Sequence, residues 1–267
     1  MGINKPADVL RDTIGIGVNK ISSSSCDYPR LAVLSLLAGI YIAIGGILSV
    51  IIGFGIPEIS ASNPGLQKLL SGCVFPVGLI LVVFLGAELF TGNNALLIPA
   101  YKSGKYSFAD VAKNWTLVYF GNFAGALFFT FFFVYLCGLT SVEPYHAAVI
   151  KVATAKVSMS WLVVFLKGTG ANWFVCLAIW LGLSSSTAGA RMVGCWFPVM
   201  AFVALGYEHS IANMFFIPAG MLEGADVTIY QFIVNNLIPA TLGNIVGGAI
   251  FVGMIHWYLH YKTIKEI

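Results

Sequence analysis

Charge is what this chain most lacks: Asp, Glu, Lys and Arg make up only 9% of its 267 residues, against 58% hydrophobic residues. Soluble domains carry about 25% charged residues, and none could cover so much apolar surface, so the chain is read as an integral membrane protein. Paired cysteines are also missing. Cys26, Cys73, Cys137, Cys176 and Cys195 are scattered singly with no CxxC, which excludes a disulfide scaffold and leaves them as small packing residues. The first 30 residues lack a continuous apolar stretch and carry Lys5, Asp8, Arg11, Asp12 and Lys20, so they are not a cleaved signal peptide. Within them Val9, Leu10, Ile14, Ile16 and Val18 predict a short, weakly amphipathic helix. The apolar runs lack strand alternation and far exceed the roughly 10 residues of a barrel strand. Basic residues do not cluster, so a net charge of +3 gives no reason to expect nucleic acid. No cofactor or metal is expected: His256 and His260 have no nearby third ligand and read better as interfacial residues beside Trp257 and Tyr258.

What is present is a set of long apolar runs. Leu31 to Ile56, Trp115 to Leu139 and Trp161 to Leu183 each meet the roughly 20 residues of a spanning helix. Three more are interrupted: Gly72 to Ile98 at Thr91-Gly92-Asn93-Asn94, Gly194 to Leu222 at Glu208-His209, and Leu237 to Leu259 by Pro239. The expectation is an all-α polytopic membrane protein of six transmembrane helices. Residues 1–30 form an N-terminal segment, 31–259 the membrane domain and 260–267 a tail. Six spans put both termini on one side, with Lys5, Arg11, Lys20, Arg30, Lys102, Lys105, Lys113, Arg191, Lys262 and Lys265. Lys68, Lys151, Lys156 and Lys167 fall on the other. The positive-inside rule therefore predicts cytoplasmic termini in a cell (cytoplasmic or inner) membrane, with loops near Thr140–Ser160 and Glu223–Gln231 outside.

The chain also resembles itself. Gly72-Cys73-Val74-Phe75-Pro76-Val77 returns as Gly194-Cys195-Trp196-Phe197-Pro198-Val199, and Glu88 with Asn93 returns as Glu208 with Asn213. Asn114 with Gly121-Asn122 and Gly125 returns as Asn236 with Gly243-Asn244 and Gly247, at identical offsets. Small residues recur in all packed membrane helices, but that does not account for the aligned asparagines. A three-span unit repeated once must be inverted, giving an aquaporin-like 3+3 repeat of about 31–139 and 161–259 with spans two and five interrupted. Leu89–Asn94 and His209–Asn213 are the expected breaks. Unwound backbone at that depth must be buried in protein or line a cavity, and helix ends with unpaired N–H groups favour an anion.

Within Gly206–Met214, Glu208 and its counterpart Glu88 read as braces, accepting hydrogen bonds from loop N–H groups or from Asn93 and Asn213; a fixed carboxylate ring would repel anions. His209 has no counterpart, since Leu89 stands there. An intramembrane imidazole is a functional candidate by default, and Thr91 in the other break supplies a hydroxyl for it or for an oxyanion. Lys151, Lys156 and Lys167 lie on the outer side, where a lysine cluster concentrates small anions, although each alone also reads as a solvated loop residue.

These residues resemble the formate/nitrite transporter family. The likeness rests on Lys113-Asn114-Trp115 with Gly121-Asn122, on Gly86-Ala87-Glu88-Leu89-Phe90-Thr91, on Gly206 to Met214 leading to Ile217-Pro218, and on Asn236-Leu237-Ile238-Pro239 with Gly243-Asn244. The resemblance implies a homo-pentamer with one pore per protomer and an N-terminal helix at the cytoplasmic mouth. It implies a pathway through Thr91, His209, Asn172 and Lys156, and constrictions among Phe75, Leu79, Leu89, Phe90, Val175 and Phe202. The loops around Thr140–Ser160 and after Leu222 look shorter than in longer formate channels. The leading expectation is a channel or facilitator for a small monovalent anion, formate first, with proton co-transfer at the central His. Nitrite and hydrosulfide are the alternatives within the family. A neutral-solute aquaporin-like channel is disfavoured because neither break contains Asn-Pro-Ala. An enzyme is not expected, because Ser210 beside His209 is the one candidate pair and adjacent helical residues do not face each other.

Overall fold

A computed structural model describes residues 3–265; positions 1, 2, 266 and 267, at the ends of the predicted terminal segments, lie outside the described residues. Every described element is helical, as expected of a chain that must satisfy its own backbone in lipid. Helix α1 (Pro6–Cys26) leads into α2 (Tyr28–Phe54), then the short α3 (Pro57–Ser62) and α4 (Pro64–Val74). A turn at Phe75-Pro76 joins α4 to α5 (Val77–Leu85), and α6 (Phe90–Lys102) comes after a stretch of extended chain. Helix α7 (Phe108–Phe129) opens on a Ser107/Asp110 capping box and widens into π-turns over Thr130–Tyr135. The second half runs α8 (Tyr145–Val157), α9 (Trp161–Ser184), α10 (Ala188–Ala204) and α11 (Ser210–Leu222). It closes with a helix from Gln231 that passes through α12 (Ile238–Ile245) into α13 (Ile255–Lys265).

Five of these stretches are long and apolar enough to cross a membrane: Tyr28–Phe54, Pro64–Leu85, Phe108–Tyr135, Trp161–Ser184 and Gln231–Thr263. The run expected as a fifth span is divided between α10 and α11, of 17 and 13 residues, each too short to cross alone. Two segments differ from expectation. The outer loop of 140–160 holds the 13-residue helix α8, whose Ala148, Val149, Ala153 and Val157 are buried. Helix α1 is 21 residues long and buries Thr13, Gly17 and Ser24 alongside Val9, Leu10 and Ile21. Its contact face is built for closeness rather than hydrophobicity: a Cβ on Gly17 would sit 2.4 Å from the Leu96 carbonyl oxygen.

Small residues set the interhelical distances. A Cβ on Gly125 of α7 would lie 1.9 Å from the Leu36 carbonyl of α2, and one on the corresponding Gly247 would lie 2.1 Å from the Thr169 carbonyl of α9. Backbones meet there without side chains between them, as in close membrane helix pairs. The Phe-rich side of α7 faces outward, with Phe120, Phe128, Phe131, Phe132 and Phe133 all exposed. Gly125→Ala is expected to lower detergent-solubilised stability by about 1–3 kcal/mol, the cost of overpacking a tight contact. Gly15→Ala, with nothing within 4 Å of the new methyl, should leave stability unchanged or raise it. Thermal unfolding of the two variants checks the contrast.

Candidate functional site

The two breaks are built alike. Helix α5 ends at Gly86 and α10 is followed by Gly206, both with φ of 70°, a left-handed turn that glycine adopts without strain. The chain then runs extended through Ala87–Leu89 and through Tyr207–His209 before α6 and α11 begin at Phe90 and Ser210. The breaks therefore precede the expected 89–94 and 209–213 by a few residues. Thr91, Gly92, Asn93, Asn94 and Asn213 belong to the first turns of the succeeding helices.

One asparagine closes each break. The Asn122 amide donates to the carbonyls of Ser35 (2.7 Å) and Glu88 (2.8 Å), and its oxygen accepts from the Phe90 N–H at 2.9 Å. Asn244 donates to Gly168 (2.8 Å) and Glu208 (3.0 Å) and accepts from Ser210 N–H at 2.8 Å. Both are wholly buried, so each gives the break's own carbonyl and N–H a partner that they would otherwise lack, at about 1–3 kcal/mol per group. The first N–H of α6 is thus taken by Asn122, and the first N–H of α11 by Asn244.

The acidic residues form a second matched pair. Asn93 donates to Glu88 at 2.8 Å and to the Asn114 oxygen at 2.9 Å, while Asn213 donates to Glu208 at 2.7 Å and to the Asn236 oxygen at 2.6 Å. Asn236 adds a bond of its own to Glu208 at 3.0 Å. Each carboxylate completes its set with a lysine 2.9 Å away: Lys20 from α1 for Glu88, and Lys156 from α8 for Glu208. Asn114 donates to the Lys20 carbonyl and Asn236 to the Lys156 carbonyl, at 3.2 and 2.9 Å. These carboxylates are nearly buried, and such an ion pair is tolerable only with this many bonds.

Between the two braces lie residues that do not match. His209, 2% exposed, caps α11 by accepting the Ala212 N–H on Nδ1 at 3.1 Å. That bond leaves the ring proton on Nε2, which donates to Thr91 Oγ1 at 2.9 Å. The Thr91 hydroxyl keeps its own hydrogen for a further acceptor. Phe202 stacks on the imidazole with ring centroids 5.8 Å apart, and Phe75 meets Phe202 edge-on, also at 5.8 Å.

Two cavities meet this centre, and another lies beside the first break at Glu88. One of about 360 Å³ reaches His209 past Ser71, Phe75, Lys156, Lys167 and Phe202. Another of about 400 Å³ is lined by Lys20, Ser22, Ser23, Arg30 and Glu88. A third, of only about 10 Å³, sits against His209 among Phe75, Leu79, Leu89, Val175 and Phe202, with space for about one water. Phe75, Phe202 and His209 line both the first and the third, so these three side chains form the wall that the two spaces share. Phe90 stands apart from all three linings and packs its ring on Tyr119 at 4.9 Å. Asn172 also lines none of them; its amide is spent on Thr91, Asn94 and Asn244.

A family model described as formate/nitrite transporter matches residues 7–258. The chain belongs to the formate/nitrite transporter family. Among its formate/nitrite transporter relatives, a probable formate transporter of Methanothermobacter thermautotrophicus is 43% identical over 87% of this chain and 89% of its own length. A solved FNT family ion channel superposes with a TM-score of 0.86 at 30% identity, over 94% of this chain and 98% of its own. A pentameric formate channel with formate bound gives a TM-score of 0.76 at 33% identity, over 88% and 98% respectively. Sequence reasoning about this formate/nitrite transporter missed Lys20, because the only signal for it is three-dimensional: it holds Glu88 as Lys156 holds Glu208.

His209→Asn separates the two jobs of the imidazole. The short amide can still cap the Ala212 N–H, so detergent stability should stay within about 1 kcal/mol. It cannot reach Thr91, and solute flux in proteoliposomes should fall about a hundredfold or more, the usual scale for losing one preorganised donor. Flux equal to wild type would remove the His209–Thr91 contact from the pathway.

Proposed function

We propose that this chain is a channel or facilitator for a small monovalent anion, formate first, and that it transports rather than catalyses. The observation that carries the reading is the His209–Thr91 pair: His209 lines an apolar space of about 10 Å³ that adjoins a vestibule holding Lys156 and Lys167, and Thr91 meets its ring from behind that lining. A bare anion entering that space loses its hydration at a cost of several kcal/mol. A formate that has taken up a proton loses far less, and because the Nε2–H is spent on Thr91, the threonine hydroxyl is the donor left for its oxygens. Proton and anion therefore cross together.

Lys156, together with Lys167 in the same vestibule, draws the anion in; because Lys156 already neutralises Glu208, the field there is mild and does not trap the passenger. Phe75 and Phe202 form the gate between that vestibule and the centre, and Leu79, Leu89 and Val175 form the apolar wall beyond it. Glu88, Asn93, Glu208 and Asn213 brace the breaks. In this reading the chain crosses a cell (cytoplasmic or inner) membrane six times in two inverted units, with both termini cytoplasmic and five copies around an axis. The pentameric channel with formate bound supports the cargo and the assembly.

Uptake into proteoliposomes ranks the cargoes. Formate uptake should exceed that of nitrite and hydrosulfide at equal inward gradients and pH, and water or glycerol swelling should match empty vesicles. Robust nitrite or hydrosulfide flux without formate flux would reassign the cargo, and swelling alone would make the protein a neutral-solute channel.

A further inference from the structure

The matched bonds fix which residues of the two halves correspond, and so they expose the polar groups that the scaffold does not need. Asn122 and Asn244 reach the carbonyls of Ser35 and Gly168, so Asn172, four residues after Gly168, corresponds to Gly39. Counted from Glu88 and Glu208, Thr91 corresponds to Ile211 and Asn94 to Met214. Together with His209, these are four polar side chains where the other half has Gly, Ile, Met and Leu. They form one cluster, and Thr91, Asn94 and Asn172 are 0% exposed.

Asn172 is its hub. Its amide faces the Thr91 carbonyl at 3.1 Å, Asn94 Oδ1 at 3.0 Å and the Asn244 carbonyl at 2.7 Å. Gly248 leaves the space for it: a Cβ there would come 2.5 Å from the Asn172 amide nitrogen, and the corresponding residue of the first half, opposite Gly39, is Ala126. The cluster is a poor stabilising device, since Asn94 Nδ2 has no partner among the described residues and a buried amide without one costs free energy.

We infer that Asn172 is a positioning residue for the Thr91–His209 pair, acting on the passenger only through Thr91. This rests on the reading of that pair given above. By holding the Thr91 and Asn244 carbonyls together, Asn172 ties the first turn of α6 to α12. Asn244 then holds Glu208 and Ser210, the neighbours of His209, so the hydrogen bonds close a ring around the site. Thr91 is β-branched and its χ1 is stiff, so fixing its backbone aims its hydroxyl. Asn172 is thereby moved from the passenger's path, where the family resemblance had put it, to the support behind Thr91.

The test is a double-mutant cycle read in formate uptake and its pH profile, with pentamer melting as control. Asn172→Ala should lower uptake by up to about a hundredfold, the scale of a contact displaced by about 1 Å, and shift the pH profile as Thr91→Val does. In the Thr91→Val background, Asn172→Ala should cost less than about twofold, because the group it aims is already gone. An undiminished cost in that background overturns the inference while leaving the role of Thr91 intact. Thr91→Val that transports like wild type overturns the reading of the pair, and this inference with it. If the alanine variant does not assemble, Asn172→Ser, which keeps a small donor, enters the same cycle under the same criteria.

Discussion

The structure depends on one constraint: backbone that leaves a helix inside a membrane must find every hydrogen-bond partner within the protein. Two breaks pose the problem twice, and the chain answers it twice with the same residues. Asn122 and Asn244 each take two carbonyls and one N–H, and the Glu–Asn–Lys sets anchor the first turns of α6 and α11. The glycines with positive φ turn the chain out of α5 and α10 at matching points. Close glycine contacts between α2 and α7, and between α9 and the last long helix, keep these side chains within reach. Remove Asn122 or Asn244 and a carbonyl and an N–H of the break lose their partners at once, so the fold depends on the residues that shape the break.

Function enters where the duplication fails. A scaffold satisfied in both halves leaves the middle free to differ, and it differs in His209, Thr91, Asn94 and Asn172. The imidazole is committed at both nitrogens, capping α11 with one and meeting threonine with the other. Accepting a second proton would require giving up the cap, so the resting site presents a neutral imidazole to an apolar slot. In the proposed reading such a slot discriminates by charge state rather than by size, admitting a small oxyacid and holding back the bare ion. The charged residues stay at the mouths, each lysine restrained by its carboxylate.

Much of this was legible in the sequence, and the misses are instructive. The aligned asparagines and glutamates revealed the duplication because each half repeats the same set of bonds: Asn122 and Asn244 to backbone groups, and Glu88 and Glu208 to the asparagines five residues on. The expected breaks lie a few residues late because Thr91-Gly92-Asn93-Asn94 looks too polar for a helix; in the fold those side chains are buried against Glu88, Asn114, Asn172 and His209. Helix α8 reads as loop, since its hydropathy is modest and its stability comes from packing against α11 and from Lys156 pairing with Glu208. Lys20 is invisible for a related reason. The glutamates are 208 − 88 = 120 residues apart and the lysines 156 − 20 = 136, so no single offset aligns both. Asn172 is found through family likeness, but only its three acceptors show that it faces Thr91 and not the open path.

The central claim is that the anion passes the His209–Thr91 centre together with a proton. Simultaneous recording of formate and proton fluxes in vesicles, with the membrane potential clamped, tests it most directly. The account predicts one proton moving with each formate and a flux indifferent to the clamped potential. Formate flux that tracks the potential with no accompanying proton would contradict it.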